Sequence, residues 1–536
     1  MKNKKQGSFT TANTNQVGAN GEVAVHKQVI KRPDEVILTI GVFFDGTANN
    51  SFNISMREEY QQALARGETP EITFPVFNTS YTNDHSNVYK LYQMYHSDLK
   101  KDIVKLSKDK NGVAHYQLSV YIEGVGSRIG ESDSNIGFAT GLGVTGIKGK
   151  INRAIIEIKK ELKTFLGKAP KTRIQQINYD VFGFSRGAAT ARYFTNFVAD
   201  KLNDKDKQGN NNPLTKMLKQ ALEGKISDHW QGHANGHVHF LGIFDTVAGI
   251  GRPENLFDAG DANTFDIDIH IHPDSTDAGL HIQAAHEYRH NFSLNDVPNY
   301  FKKVSMPGAH SDIGGGYPNH DIEENLYITK VYQHDNLYLG QPSNIKQKLQ
   351  KALVKIQQHP DLHYLFYGLS ENNFYQWTTP VRYDNNNYTN AYGVIRVRRQ
   401  IKFGLDRVAL RIMYNEAVKQ NCKFIPFWDI YVIPNELQSV ANKIIKAADS
   451  YQTYQLTEAE KRLVLNNYTH CSAEYERYFY TRPAEKELID KNTGQIVKIT
   501  WPAKKEKEQA ITGLLQVHQP HLTHHGDWQR LIHPDQ

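Results

Sequence analysis

Cysteine is almost absent from this chain: 536 residues contain two, Cys422 and Cys471. One disulfide is the most they can form, so a fold of this length is not held by an oxidative framework. A long apolar run is also lacking. Nothing approaches the roughly 18 consecutive apolar residues of a membrane-spanning helix. The chain starts Met-Lys-Asn-Lys-Lys and continues in Gly, Ser, Thr, Asn and Gln without an apolar stretch, so no cleaved secretory leader is expected and synthesis in the cytoplasm is. A strong charge of one sign is lacking as well. Net charge is +6, with lysine and glutamate interspersed, which gives no footprint for nucleic acid and is compatible with weak attraction to anionic membrane surfaces. What is present is enough apolar residue, 39 %, for a large core, and a length that suggests two or three domains.

Read in order, residues 1–33 are polar and form an expected flexible tail ending at Pro33. Val36 to Phe44 is an apolar run of strand length stopped by Asp45-Gly46-Thr47, and residues 50–84 read as a polar loop. Asn87 to His96 has helical spacing, and Tyr116 to Ile122 alternates as a strand. A loop with Gly137, Gly141, Gly143 and Gly146 leads into an amphipathic helix from Ile147 to Leu166. Further strands are expected at Ile177–Phe182, Val238–Phe244 and Phe301–Met306, with residues 249–300 as an insertion. Strands alternating with helices build a mostly parallel sheet covered on both faces, and ligands bind such sheets at the carboxyl ends of the strands. The expected catalytic domain is therefore 34–320. Beyond it, 321–536 reads as a mainly helical accessory region, with helices near 345–357, 406–418, 435–448 and 457–465, aromatic-rich pieces such as Phe374–Trp377, and a hairpin signal at Lys491–Gly494. There is no internal repeat.

The chain is organised around Gly183-Phe184-Ser185-Arg186-Gly187. A G-x-S-x-G pattern that follows a buried strand and opens a helix of small residues is a nucleophile elbow, which holds the serine on a strained turn with its hydroxyl pushed out. A serine hydroxyl needs a base, usually a histidine oriented by a carboxylate. After the elbow, Asp245 ends the next strand and His310 follows the last one, in the chain order Ser, Asp, His. His310 is preferred to His239, His286 and His290 because it sits in a small-residue loop after a core strand, and Asp312 is the runner-up acid. The oxyanion donors expected are the backbone N–H groups of Arg186, directly after the nucleophile, and of Gly46, in the loop after the first core strand.

No cofactor is implied. Gly124-Val125-Gly126 and Gly314-Gly315-Gly316 lack the surroundings of a phosphate-binding fingerprint and read as loops. Asp266, Asp268, His270 and His272 read as an exposed strand face rather than a metal site, and His518, His521, His524, His525 and His533 as a solvated tail.

Taken together, Val42–Thr47, Gly183–Ala188, Phe244–Val247 and Pro307–Gly315 make the stretch from about 35 to 320 resemble the first family of GxSxG-type phospholipase effectors of bacterial type VI secretion. That resemblance implies an α/β-hydrolase-like fold, a triad of Ser185, Asp245 and His310, and hydrolysis of membrane phospholipid esters. It also implies delivery into the periplasm of rival bacteria on a VgrG-like spike or through a chaperone, and a cognate immunity protein. The family often carries a second glycine after Asp-Gly-Thr, where Ala48 and Asn49 stand here. Two other functions fit the same residues: a carboxylesterase acting on non-phospholipid esters, and a binding module that keeps the fold without the activity.

Overall fold

The computed structural model describes residues 12–17, 23–28, 35–68, 81, 83–98, 113–127, 145–200, 212–230, 235–250, 258, 260–318, 321–336, 344–383, 386–475, 484–489, 496–501 and 519–535. Six strands form the central sheet: β1 (Glu35–Phe44), β2 (Ala114–Ile122), β3 (Arg173–Phe184), β4 (His237–Phe244), β5 (Ala278–Ala284) and β6 (Lys303–Met306). Their order is β2-β1-β3-β4-β5-β6, and every pair is parallel. The continuous apolar runs follow from this: a strand buried on both faces has no polar side to display.

Leu38, Ile40, Val42 and Phe44 of β1 pack into one layer with the helix Ile147–Lys168 and the elbow helix Arg186–Val198. Phe43, Phe182 and Phe240 face the other way. There Val88, Leu91 and Met94 meet the helices Leu405–Lys419 and Gln438–Ser450. Phe43 and Phe182 stack at 4.9 Å on that face. One of the two layers covering the sheet is thus drawn partly from beyond residue 400.

Several expectations are corrected. Residues 51–65, read as loop, form a helix. Asn50 caps it by accepting a hydrogen bond from the Asn53 N–H at 3.3 Å. Its sequence carries no clear apolar stripe, so periodicity could not reveal it. Strand β5 lies inside the expected insertion. His281 and Gln283 break its apolar pattern, and both are buried with hydrogen bonds, His281 Nε2 accepting from the Thr246 N–H and Gln283 donating to Asp296. Within residues 1–33, Ala12–Val17 and Val23–Gln28 pair as an antiparallel hairpin rather than a tail. The region after 320 has a four-stranded antiparallel sheet beside its helices, and the aromatic-rich piece at Phe374 belongs to one of its strands, Phe374–Tyr383. Asp266–His272 is not a strand. Ile267, Ile269 and Ile271 anchor it in the core, and His272 pairs with Asp268 while His270 pairs with Asp535.

The histidine-rich end is no solvated tail either. Residues 519–535 return to the catalytic module, and Ile532–His533 pairs in parallel with Leu294–Asn295. The strands Ala484–Ile489 and Ile496–Trp501 pair as the hairpin signal predicts. The turn at 491–494, Gly137, Gly141, Gly143, His518 and most of 1–33 lie outside the described residues. Cys422 and Cys471 are separate, buried free thiols. Among the described residues, no helix is long and apolar enough to cross a membrane.

Candidate active site

Ser185 stands between the end of β3 and its helix at φ 58° and ψ −126°, a left-handed conformation that costs a non-glycine residue of order 1–3 kcal/mol. The neighbours hold it there. The Ser185 N–H donates to the Phe244 carbonyl at 3.1 Å, and the Ser185 carbonyl accepts from the N–H groups of Ala188 and Ala189. The two motif glycines are required by contact. A Cβ on Gly183 would lie 2.4 Å from the Gly187 carbonyl oxygen, and one on Gly187 would lie 2.3 Å from the carbonyl oxygens of both Phe44 and Asp45. Helix and strand therefore approach as closely as backbone permits.

Asp245 closes β4, fully buried. Its Oδ2 accepts from His310 Nδ1 at 2.6 Å, and its Oδ1 accepts from the Ala284 N–H at 2.8 Å. His310 opens a short helix, His310–Gly314. Its ring lies over Phe184 at 4.6 Å between centroids and meets Phe292 edge-on at 5.1 Å. Its backbone N–H donates to Glu287 Oε2 at 3.2 Å. With Nδ1 committed to the carboxylate, Nε2 is the nitrogen left for proton transfer. Among the described residues the Ser185 hydroxyl makes no hydrogen bond.

Arg530, from the far end of the chain, is the residue that sequence reasoning missed. Its two terminal nitrogens each donate to one oxygen of Asp245 at 2.8 Å, and one of them also donates to the Ala284 carbonyl. Burial alone pushes the Asp245 carboxyl up; the Arg530 charge, followed by the bond from His310, pulls it well below the usual carboxylate range. Asp245 is thus held ionised. Burial lowers the His310 pKa below its ordinary value, only partly opposed by Asp245, so the imidazole is neutral at pH 7 and able to accept a proton.

The rivals lie elsewhere. His286 accepts from the Gly308 N–H and His290 sits on Asp258, while His239 pairs with Asp180. Asp312 does not reach His310. It receives His470 Nδ1 at 2.6 Å and the Ala309 N–H at 2.8 Å, tying the histidine loop to the region after 400.

The expected oxyanion donors divide. Arg186 is the first residue of the elbow helix, where the amide projects from the helix end. Gly46 does not fit the expectation, because its N–H is taken by Asp45 Oδ1 at 2.7 Å. The next amide, that of Thr47, makes no hydrogen bond among the described residues, while Thr47 Oγ1 accepts from Arg186 Nε at 2.7 Å and so ties this loop to the elbow. Asp45 is buried against the Tyr121 hydroxyl at 2.6 Å, and burial raises its pKa to about 6. Gly124 lets the neighbouring loop close on it, since a Cβ there would lie 1.7 Å from the Gly46 carbonyl oxygen.

Ala48 takes φ 58°, the left-handed conformation that glycine adopts without steric cost. Ala48→Gly is therefore expected to stabilise the chain by about 0.5–1 kcal/mol, the relief of strain exceeding the added unfolded-state entropy. The urea midpoint measures it, and a lower midpoint would contradict the strain argument.

A strained serine beside a buried acid–histidine pair, at the carboxyl ends of a parallel sheet, is an arrangement for acyl transfer. Among solved structures, a Tle1 effector bound to the VgrG spike of the Type 6 secretion system is 25 % identical, covers 98 % of this chain and 100 % of its own, and superposes with a TM-score of 0.65. An uncharacterized protein from Pseudomonas aeruginosa, 17 % identical over 80 % of this chain and 52 % of its own, reaches a TM-score of 0.33, too low to carry an argument. No curated protein matches the chain. The sequence model for the catalytic domain of T6SS Tle1-like phospholipase effectors matches residues 39–332, more than half of the chain, and the chain belongs to that family.

Proposed function

We propose that this chain is a serine-dependent phospholipase that hydrolyses carboxylic ester bonds of membrane phospholipids through an acyl-enzyme, and that it acts as an antibacterial effector. The observation that carries the reading is the 2.6 Å bond from His310 Nδ1 to Asp245 Oδ2 beside a serine held at φ 58°. In the first step Ser185 Oγ attacks the ester carbonyl carbon and its proton passes to His310 Nε2. The carbon–oxygen bond to the glycerol breaks, and the same proton leaves with the lysophospholipid. Water then attacks the acyl-serine, with His310 taking its proton and returning one to Ser185, and fatty acid departs. The developing oxyanion is met by the N–H of Arg186 and, in place of Gly46, by that of Thr47.

Asp245 stays ionised throughout and stabilises the imidazolium. Because burial lowers the His310 pKa, the neutral base persists on the acid side of 6.5. The acid limb of kcat/KM is expected below that value, activity falling as pH descends through the lowered pKa. A limb at or above 6.5 in a pH–rate profile would count against His310 as the base.

The complex of the solved relative supports carriage of this chain on a VgrG-like spike. The target-cell periplasm as the site of action and a cognate immunity protein protecting the producer are what the family resemblance implies. The deciding experiment is product analysis on phospholipid vesicles with wild type beside Ser185→Ala. Fatty acid and lysophospholipid should appear only with wild type. Release confined to short-chain soluble esters would favour a general carboxylesterase, and no release at all would favour a binding module.

A further inference from the structure

We propose that Asp180, His239 and Cys422 form a binding site for one divalent transition-metal ion of the zinc class, remote from the serine, that fastens the helical layer after residue 400 to the central sheet. One ligand atom from each residue lies within 4.8 Å of the other two. Asp180 is on β3, five residues before Ser185, or about 16 Å along the strand. His239 is on β4, adjacent to β3 in the sheet. Cys422 follows the helix Leu405–Lys419 and is positioned by its N–H donating to the Ala417 carbonyl at 2.9 Å. Three segments far apart in sequence thus deliver a carboxylate, an imidazole and a thiol to one point.

The donor set selects the ion. Thiolate with imidazole suits zinc and its chemical neighbours, whereas calcium and magnesium take oxygen ligands. Bonds of about 2.0–2.3 Å in a tetrahedron space the ligand atoms roughly 3.2–3.8 Å apart. No two of the three ligand atoms are more than 4.8 Å apart, so closing to that spacing needs at most about 1 Å. Asp180 Oδ1 and His239 Nδ1, now hydrogen-bonded at 2.8 Å, must open slightly.

The surroundings resemble the outer shell of a metal centre. The Tyr95 hydroxyl donates to Asp180 Oδ2 at 2.6 Å, and the Gln420 backbone hydrogen-bonds the His239 ring. Such partners orient ligands and raise their basicity. A cleft of about 750 Å³, whose walls include His96, Asp98 and His115, runs alongside, and His239 is 29 % exposed to it. Ion and water therefore have an entry path, and water completes the fourth position. Without metal, His239 Nδ1–H donates to Asp180 Oδ1 and the thiol keeps its proton. On binding, the Sγ–H and Nδ1–H bonds break, Sγ–metal and Nδ1–metal bonds form, both protons go to solvent, and the imidazole keeps its proton on Nε2. The ion would act as a cross-link in a chain whose two cysteines are too few for a disulfide framework, and it would lie outside the hydrolytic chemistry.

The test uses the full chain stripped with chelator and titrated with Co²⁺. One equivalent should bind with a thiolate-to-cobalt charge-transfer band and tetrahedral ligand-field absorption. Zn²⁺ should displace it and raise the Tm. Cys422→Ser should abolish the charge-transfer band. His239→Gln, at the most exposed of the three positions, should weaken binding at least about tenfold and serves if the cysteine variant fails to fold. Both variants should retain ester hydrolysis. A wild-type chain without the thiolate band, or an equal rise in Tm with Zn²⁺ in wild type and His239→Gln, would overturn the site.

Discussion

Ser185→Ala is expected to lower ester hydrolysis by about 10⁴- to 10⁶-fold, the scale seen when the nucleophile of a triad is removed. The substitution deletes one oxygen from a side chain that makes no hydrogen bond among the described residues, so the unfolding free energy from urea titration should change by less than about 0.5 kcal/mol. The backbone at φ 58° is held by the Phe244 carbonyl and the helix start rather than by the hydroxyl, and alanine at 185 inherits the same strain. A folded, inactive variant assigns the chemistry to the serine. Retained hydrolysis would place the nucleophile elsewhere and sink the mechanism.

Arg530→Ala should have the next largest effect. It removes the two guanidinium bonds to Asp245 and leaves a carboxylate that is fully buried. Breaking a buried pair by deleting one partner costs about 3–5 kcal/mol. The sign of the pH effect follows from Asp245. Its folded pKa is depressed, so it contributes stability above the unfolded value of about 3.9, and that contribution is lost as pH falls through the folded pKa. Without Arg530 the effect of burial is opposed by His310 but no longer by the guanidinium, and the Asp245 pKa rises. The acid limbs of both stability and kcat should therefore move toward neutral pH.

At pH 7 we expect kcat to fall roughly 10²-fold with KM little changed, because Arg530 acts by positioning the acid and not by touching substrate. Arg530→Lys, with a point charge but no fork, should recover the charge and only part of kcat. A variant that loses stability while keeping the wild-type pH profile would reduce Arg530 to a packing role.

Much of the proposed site was legible because its signals are local. An elbow is a contiguous strand–serine–helix pattern, and its glycines are dictated by contacts that any chain taking that turn must make. Asp245 and His310 announce themselves by standing just past buried strands, where parallel sheets collect ligands. The runs of β1, β3 and β4 were readable for the same reason: burial on both faces leaves an unbroken apolar signature. Strand β5 was not, because His281 and Gln283 occupy buried positions that only their hydrogen-bond partners explain. The helix at 51–65 carries no clear apolar stripe, so its only sequence cue was the cap at Asn50.

By itself, then, the sequence determined the α/β class, the serine and the two residues proposed to serve it, since each depends on neighbours a few positions away. Tertiary structure alone decided which groups surround them. Gly46 loses its expected role to an Asp45 side chain that turns back on it, and Asp312 belongs to His470. Arg530 arrives on Asp245 from 285 positions along the chain. No periodicity encodes such a meeting. It follows from the closing segment pairing with Leu294–Asn295 and from a buried carboxylate that cannot remain ionised without a counter-charge, wherever in the chain that charge is found.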